Sequence, residues 1–371
     1  MNRLRLAVVG VGHLGRVHAR LAAGLDRFEL VAVVDERPEA RETVARDAGC
    51  RAVAQVRDLI GEIDAAVVAT PTHTHLPVAR ELIHGGVHVL VEKPLAPTAV
   101  EADQLVTLAR KRHVVLQVGH VERFNPALVS VQPELRSPKF IEARRLTGYT
   151  FRSIDVGVVL DLMIHDIDVA LALVDSPVTA VDAAGISVMG GHEDMVSARL
   201  RFACGAVACL TASRTSYTPA RTMQVFTPTR FASIDFGARR ATLVTPREDV
   251  LRRTLRTESL GEEQRQQMRE RLFEDVLVRH EPAAVEANAI EEELVDFAEA
   301  IRTGRAPRVT GADGRDAVEV AERIVQCVAE HRWDADDPRL VGPLATPLAP
   351  LPAAEADWNG DDTVIWRRKA G

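Results

Sequence analysis

The 371-residue sequence predicts an α/β protein, with a doubly wound parallel sheet in its N-terminal part and an α+β domain with a largely antiparallel sheet behind it. Three observations carry this prediction. Strand-like and helical segments alternate up to about Val121, and longer strands without intervening helices follow Asn125. The length also suits two domains of about 150 residues each. The predicted units are a first domain over 1–122, a second domain over 123–333 and a Pro- and Ala-rich tail over 334–371.

The first domain alternates between short β-branched runs and helical patterns. The strand-like runs are LRLAVVG, FELVAVVD, IDAAVVAT, VHVLVEK and VVLQVGH. Helices are predicted between them, up to Gly24, over 38–48, through PVARELIHGG and over 98–112. Because this alternation is typical of strands joined by crossover helices, it predicts a parallel sheet of about six strands.

The second domain reads differently. Longer strands are predicted over 139–146, 178–189, 195–211 and 221–245, which favours a largely antiparallel sheet. One apolar helix over 158–174 interrupts them, and two helices within 288–332 are expected to pack back near the first domain. The charged stretch over 252–281 is predicted to be a surface helix or a partly ordered loop without chemistry.

Composition excludes several classes of function. The chain is 46% hydrophobic and 27% charged, which is enough apolar material for a core. With 46 Lys and Arg against 53 Asp and Glu, its net charge of −7 offers no basic field for nucleic acid or anionic membranes. Four cysteines without a CxxC pair favour a reducing compartment over structural zinc. Since no apolar run reaches the roughly 20 residues of a membrane span, a cytoplasmic protein is expected.

A glycine motif follows the first strand. Gly10 permits a tight turn, Gly12 lets a pyrophosphate approach the backbone, and Gly15 lets the next helix pack closely. Asp35 ends the second strand, where it would accept hydrogen bonds from a ribose and repel a 2′-phosphate, which favours NAD over NADP; Arg37 weakens that preference. A glycine-lined turn that binds nothing is the alternative. The predicted cofactor contacts here are Gly10, Gly12, His13, Leu14, Gly15, Asp35 and Arg37.

A lysine stands at the end of the fifth strand. Lys93 lies between Glu92 and Pro94, at the sheet edge where ligands of open parallel sheets bind. An ammonium there could stabilise the alkoxide that develops while an alcohol is oxidised. The alternative is an exposed lysine at a strand end, which is the usual place for this residue type.

The apolar helix carries a third group of polar residues. Asp161 and His165 are four residues apart and are expected on one helical face, with Asp168 one turn further on. His165 could take a hydroxyl proton, while Asp161 orients the imidazole or binds a neighbouring sugar hydroxyl. A satisfied core histidine is the alternative. A metal site is not predicted, because Asp161 and His165 supply only two ligands.

These motifs together resemble the glucose–fructose oxidoreductase, inositol dehydrogenase and MocA group of NAD(P)-dependent oxidoreductases. The resemblance is carried by VVGVGHLGRVHA, ATPTHTHLPVA, VEKPLA and the helix with Asp161 and His165, and it extends to about residue 332. It implies an N-terminal Rossmann domain and a catalytic set of Lys93, Asp161 and His165. It also implies that Thr70, Pro71, His75, Glu92 and Lys93 border the cofactor.

Two further segments resemble a narrower branch of that family. VGHVERFNPA at 118–127 and RSIDVGVVLDLMIHDID at 152–168 are similar to enzymes that oxidise the 3-hydroxyl of UDP-N-acetylglucosamine. Asn125 is predicted to cap a helix and to face the nicotinamide pocket. Arginines can bind a diphosphate bidentately, but on strands they often just cover a solvent face. The candidates are Arg123, Arg144, Arg145 and Arg152.

Three hypotheses follow for function. The first is an NAD-dependent dehydrogenase of a nucleotide-linked amino sugar, with His165 as base and Lys93 stabilising the alkoxide. The second keeps this chemistry on a free polyol or aldose such as inositol. The third is a dinucleotide-sensing protein without catalysis, against which the joint presence of Lys93, Asp161 and His165 speaks. A homodimer or homotetramer is expected from the family resemblance and from the cost of leaving a broad sheet face wet.

Overall fold

The computed structural model describes residues 3–151, 156–189, 191–283 and 286–331. The tail predicted over 334–371 and the candidate Arg152 lie outside the described residues. The described chain forms two sheets, one of six strands and one of eight.

The first sheet is parallel and follows the order β3-β2-β1-β4-β5-β6. Its strands are β1 (Leu4–Val9), β2 (Phe28–Val34), β3 (Arg51–Val53), β4 (Ala65–Val68), β5 (His88–Glu92) and β6 (Leu116–Gly119). The predicted doubly wound sheet is therefore confirmed. The chain reverses its direction of growth between β1 and β4, which is where open sheets of this kind bind ligands. The short β3 has no strand signal of its own in the sequence.

The second sheet follows the strands β7 (Phe140–Leu146), β8 (Val178–Ile186), β9 (Met195–Phe202), β10 (Val207–Ser213), β11 (Ala220–Phe226), β12 (Phe231–Asp235), β13 (Arg240–Pro246) and β14 (Leu277–His280). Their order is β14-β13-β12-β11-β7-β10-β9-β8, and only β7 and β10 pair in parallel. The largely antiparallel sheet is confirmed.

Two details of the second sheet differ from the sequence prediction. The single strands expected over 195–211 and 221–245 are each divided by turns, one of them at Gly205, whose φ is 82°. The charged stretch over 252–281 is not only surface helix or loop, because it ends in β14, which pairs with β13 at the edge of the sheet. Its polar sequence suits an edge strand that faces solvent.

The helices are α1 (His13–Gly24), α2 (Pro38–Ala48), α3 (His75–His84), α4 (Ala99–Arg112), α5 (Pro126–Val131), α6 (Ile164–Val174), α7 (Glu248–Leu251), α8 (Glu262–Glu270), α9 (Ala289–Thr303) and α10 (Gly311–Glu330). The helix predicted over 158–174 is α6 preceded by a π-helical turn, Val159–Met163. Within the described residues, no helix combines the length and apolar character that crossing a membrane requires.

Alternate residues of β1 face opposite helical layers. Leu6 and Val8 lie in one core cluster with residues of α1, α2 and α9, whereas Ala7 and Val9 lie in another with residues of α3 and α4. Strands buried on both faces explain the unbroken apolar runs of the sequence. Because α9 joins this core, the C-terminal helices pack against the first sheet.

Helix α10 bridges the two sheets. A Cβ on Gly311 would lie 2.5 Å from Leu116 Cδ2, and one on Gly314 would lie 2.6 Å from Val118 Cγ2. The two glycines therefore let α10 lie directly on β6. Further along, Ala317 and Ile324 of α10 belong to the core cluster of the second sheet. This arrangement fixes the C-terminal edge of the first sheet against the second domain.

Candidate active site

The loop after β1 is shaped for a dinucleotide. Gly10 has a φ of +85°, and a Cβ there would lie 2.7 Å from backbone atoms of Ala69 and Thr70. A Cβ on Gly15 would lie 1.8 Å from the carbonyl oxygen of Gly10, whereas the space at Gly12 is open. The α1 N-terminus opens onto this space, with His13 and Leu14 exposed. Backbone amides and a helix dipole there suit a pyrophosphate.

Asp35 closes one end of the same cradle. Its carboxylate accepts hydrogen bonds from the backbone N–H of Val11 and of Arg37, both at 3.0 Å. Burial alone would raise the pKa of Asp35, but these hydrogen bonds and the guanidinium of Arg37 hold the pKa below its ordinary value. The ionised Asp35 suits the hydroxyls of a ribose. Arg37, whose side chain is 67% exposed, places a cation beside it.

The loop after β4 forms the other wall. Thr70 Oγ1 is buried without a hydrogen-bond partner, which suits a contact with a bound cofactor. His75 is buried, and its ring nitrogens lie 2.9 Å from the carbonyl oxygen of Pro94 and 2.8 Å from that of Thr70. His75 therefore connects the loops after β4 and β5, with Pro71 between Thr70 and the short helix that follows. Its ring nitrogens are occupied by the protein itself.

Glu92 belongs to a buried cluster with His18 and Glu293. His18 Nε2 lies 2.6 Å from Glu92 Oε1, and Glu293 of α9 completes a group whose ligand atoms lie within 4.8 Å of one another. Ligands of one zinc ion would stand about 3.3 Å apart at ordinary Zn–N distances, so the His18–Glu92 contact is a hydrogen bond. Burial and the charge of Glu92 raise the pKa of Glu293 well above its ordinary value. Burial thus favours the neutral form of Glu293, and the His18–Glu92 hydrogen bond fixes the end of β5.

Lys93 reaches across to the second domain. Its Nζ donates a hydrogen bond to the backbone carbonyl oxygen of Asp161 at 2.6 Å and lies 3.6 Å from Asp161 Oδ1. The side chain of Lys93 is 15% exposed, so it is not the freely solvated lysine of the alternative interpretation. Burial lowers its pKa, and the carboxylate of Asp161 opposes that change.

Asp161 and His165 are arranged differently from the sequence expectation. No hydrogen bond joins them among the described residues, and Asp161 faces Lys93 instead. Asp161 lies in the π-helical turn, whose hydrogen bonds run from residue i to i+5, so residues four apart no longer stack as in an α-helix. The expectation that Asp161 orients the imidazole is therefore not met. Single π-helical turns occur frequently at functional sites.

His165 is a neutral base at ordinary pH. Burial and the nearby charges of Lys93 and Arg145 lower its pKa well below the ordinary value. Its Nδ1 is buried without a hydrogen-bond partner. Its Nε2 has no hydrogen-bond partner among the described residues either, but it is in contact with solvent. Nε2 therefore carries a free lone pair when the proton is on Nδ1.

Three of the predicted substrate residues are engaged within the protein. Arg145 is buried between Glu122 and Asp166, each 2.8 Å away. Arg123 pairs with Asp168 at 2.9 Å. The structure thus pairs Arg145 and Arg123 with acidic side chains of the protein itself, and Asn125 is likewise hydrogen-bonded within the protein.

Asn125 caps α5, as predicted, and its side-chain nitrogen forms hydrogen bonds with other residues of the protein. Its oxygen accepts from the N–H of Ala127 at 3.1 Å, and its nitrogen donates to Glu122 and to the carbonyl oxygen of Phe236. Arg144 alone among the described arginine candidates is exposed, because residues of β7 alternate between core and solvent.

One functional candidate was missed by sequence reasoning. His120, directly after β6, is fully buried, and neither of its ring nitrogens has a hydrogen-bond partner. Its ring is perpendicular to that of His165, with centroids 6.4 Å apart. Its position could have indicated it, since β5 and β6 are neighbours and their ends share the edge that carries Lys93.

The dinucleotide cradle carries Lys93 at its edge, and a neutral histidine of the second domain, His165, lies nearby. This arrangement defines an oxidoreductase that binds NAD and acts on hydroxyl groups. The model of an oxidoreductase family with an NAD-binding Rossmann fold matches residues 4–120, and that of the GFO/IDH/MocA C-terminal domain matches residues 131–229. The chain belongs to the Gfo/Idh/MocA family.

Two relatives and one solved structure indicate its place in that family. The chain is 41% identical over 237 residues to a UDP-N-acetylglucosamine 3-dehydrogenase of Acidithiobacillus ferrooxidans, which covers 64% of this chain and 75% of that protein. It is 29% identical over 229 residues to an inositol 2-dehydrogenase of Rhizobium meliloti, covering 57% and 69%. A crystal structure of the Acidithiobacillus ferrooxidans enzyme superimposes with a TM-score of 0.77 and 34% identity, over 88% of this chain and 98% of that one.

Proposed function

We propose that this protein oxidises the 3-hydroxyl of UDP-N-acetylglucosamine to a ketone with NAD, supplying a 3-keto sugar for amino-sugar biosynthesis. The observation that carries the proposal is the 2.6 Å hydrogen bond from Lys93 to Asp161, which ties the dinucleotide-binding edge to the turn that precedes His165. The substrate is inferred from the 41% identical 3-dehydrogenase. A free polyol is the second candidate, which the similarity to inositol 2-dehydrogenase supports.

In this proposal each side chain of the catalytic set has one task. Lys93 holds its ammonium beside the reacting hydroxyl and stabilises the negative charge that develops on the oxygen. His165 takes the hydroxyl proton on Nε2, the ring nitrogen that faces solvent. Asp161 holds Lys93 in place, and its carboxylate favours the charged form of the lysine. Bound NAD would accept the hydride that leaves the carbon.

The remaining contacts are assigned by position. The loop from Gly10 to Gly15 would hold the pyrophosphate, Asp35 the adenosine ribose, and Thr70 with Pro71 the nicotinamide side of the cofactor. Asp35 supports NAD in preference to NADP. Arg144 is the exposed arginine among the described diphosphate candidates, but it lies on the face of β7 opposite Arg145, so its contact with the UDP diphosphate stays a prediction. The proposal includes a cytoplasmic location, and it includes a homodimer or homotetramer, which the family resemblance implies.

The decisive assay mixes purified protein, NAD and UDP-N-acetylglucosamine and follows NADH absorbance, with a 3-aminotransferase present to remove the keto product. We expect NADH to form with this substrate and little to form with inositol. Activity on inositol together with silence on the nucleotide sugar would overturn the proposed substrate. NAD binding without oxidation across a broad panel of sugars would favour a sensing protein instead.

The rate of oxidation should persist in mildly acidic solution. His165 must be neutral to accept a proton, and its pKa lies well below the ordinary value of 6.5 because the imidazole is buried near Lys93 and Arg145. Since a base is active above its pKa, the acidic fall in kcat/KM is expected below pH 6.5. A profile of kcat/KM against pH checks this, and an acidic fall centred above that value would contradict the assignment of His165.

A further inference from the structure

The rings of His120 and His165 concentrate unsatisfied polar atoms. Seven buried side-chain nitrogen or oxygen atoms of the described residues lack a hydrogen-bond partner, and three of them are His120 Nδ1, His120 Nε2 and His165 Nδ1. The two rings meet edge to face at 88°, with 6.4 Å between centroids. A buried imidazole is normally retained only where its nitrogens find partners, so this clustering calls for a function.

The acidic residues around His165 leave its Nδ1 without a carboxylate partner. Asp161 faces Lys93, Asp166 accepts two hydrogen bonds from Arg145, and Asp168 accepts one from Arg123. Each acid that sequence spacing places near His165 is thus committed to a cation. A general base usually needs a group that fixes its tautomer. His120 is the adjacent ring with uncommitted nitrogens.

A hydrogen-bonded link between the two rings requires a bridging water, because with centroids 6.4 Å apart no nitrogen of one ring lies within hydrogen-bond distance of a nitrogen of the other. Separations beyond 3.5 Å between polar groups are commonly bridged in this way, and a water can accept from one nitrogen while it donates to another. Neutral His120 has one nitrogen with a lone pair, because burial lowers its pKa below the ordinary value. That nitrogen can accept a proton from the water, and the water can accept one from His165 Nδ1.

We propose that His120 is a positioning residue for the oxidation, joined to His165 Nδ1 through one bound water. The inference rests on the proposed function. The link keeps the proton of resting His165 on Nδ1, so that the lone pair of Nε2 faces the substrate hydroxyl. When the substrate O–H proton moves to Nε2, the Nδ1 proton passes to the water, and a water proton passes to His120. The two electrons of the C–H bond would leave with the hydride, which bound NAD would accept, so atoms and charge balance.

The test compares His120→Phe, which keeps a ring but removes both nitrogens, with His84→Phe on the exposed end of α3. We expect His120→Phe to lower kcat by about 10- to 100-fold, a part of what proton-transfer groups contribute. The KM and the NAD dissociation constant should change less than twofold, and His84→Phe should leave kcat unchanged. His120→Asn, which can still hold a water, should recover part of the loss.

A second readout does not depend on turnover. In protein labelled with ¹⁵N-histidine, the side-chain nitrogen shifts of His165 should report a single tautomer protonated at Nδ1, and His120→Phe should convert it to a mixture. An unchanged kcat or an unchanged tautomer in His120→Phe would overturn the inference. Should His120→Phe fail to fold, His120→Asn answers both questions. If the wild type oxidises no sugar, the proposed function fails, while the nitrogen shifts still decide whether His120 sets the tautomer.

Discussion

Lys93→Met lowers kcat for sugar oxidation by about 10²- to 10³-fold, the usual loss when one preorganised electrostatic contact to a developing oxyanion is removed. Methionine keeps the buried stem of the side chain but removes the ammonium, which donates to the backbone of Asp161 at 2.6 Å. No hydrogen bond or ion pair joins Lys93 to the glycine loop or to Asp35 among the described residues. The NAD dissociation constant of the variant should therefore stay within about threefold of the wild-type value. Steady-state kinetics and NAD titration measure the two effects separately.

Lys111→Met is the matched control. Lys111 lies in the last turn of α4 and is exposed, so the same loss of a charge there should leave kcat unchanged. A Lys93→Met protein that binds NAD and turns over at the wild-type rate would remove the lysine from the mechanism.

His165→Asn should lower kcat by about 10²- to 10⁴-fold, as expected when a general base is removed. This variant separates the proton step from charge stabilisation by Lys93.

The first sheet was predictable because its signals are local. The strands β1, β4, β5 and β6 are largely buried on both faces, and Gly10 and Gly15 are required by contacts closer than any Cβ could tolerate. The position of Lys93 followed from the same topology, since the ends of parallel strands share one edge. What chain order alone cannot give is the partner across the domain boundary.

The errors arose where side chains from distant segments meet. Strand periodicity correctly implies that Arg144 and Arg145 point to opposite faces, but it does not say which face is the core. Arg145 is the inward one because Glu122 and Asp166 compensate its charge there. Similarly, the spacing of Asp161 and His165 implied one helical face, and the π-helical turn changed that geometry. Neither feature has a sequence signature of its own.

Arg145→Leu should lower the free energy of unfolding by about 3–5 kcal/mol, as expected when one member of a buried ion cluster is removed. Only 4% of the Arg145 side chain is exposed, and its loss leaves the carboxylates of Glu122 and Asp166 buried without a cation. Arg144→Leu on the same strand is the control, because exposed substitutions usually change stability by less than about 0.5 kcal/mol. Urea unfolding of both variants measures the difference, and equal losses would show that the cluster contributes nothing special.

The loss in Arg145→Leu should also depend on pH. Burial already raises the pKa of Asp166 above its ordinary value, and removing Arg145 takes away the charge that opposes this rise. A carboxyl group whose folded pKa is raised favours the folded state at low pH and disfavours it as pH increases through that pKa. The free energy of unfolding of the variant should therefore be closest to the wild-type value in acid and furthest from it in alkali.

Because Arg145 also lowers the pKa of His165, the acidic fall in kcat/KM of Arg145→Leu should move to higher pH. An unmoved acidic limb in a folded, active variant would show that the guanidinium does not act on the base.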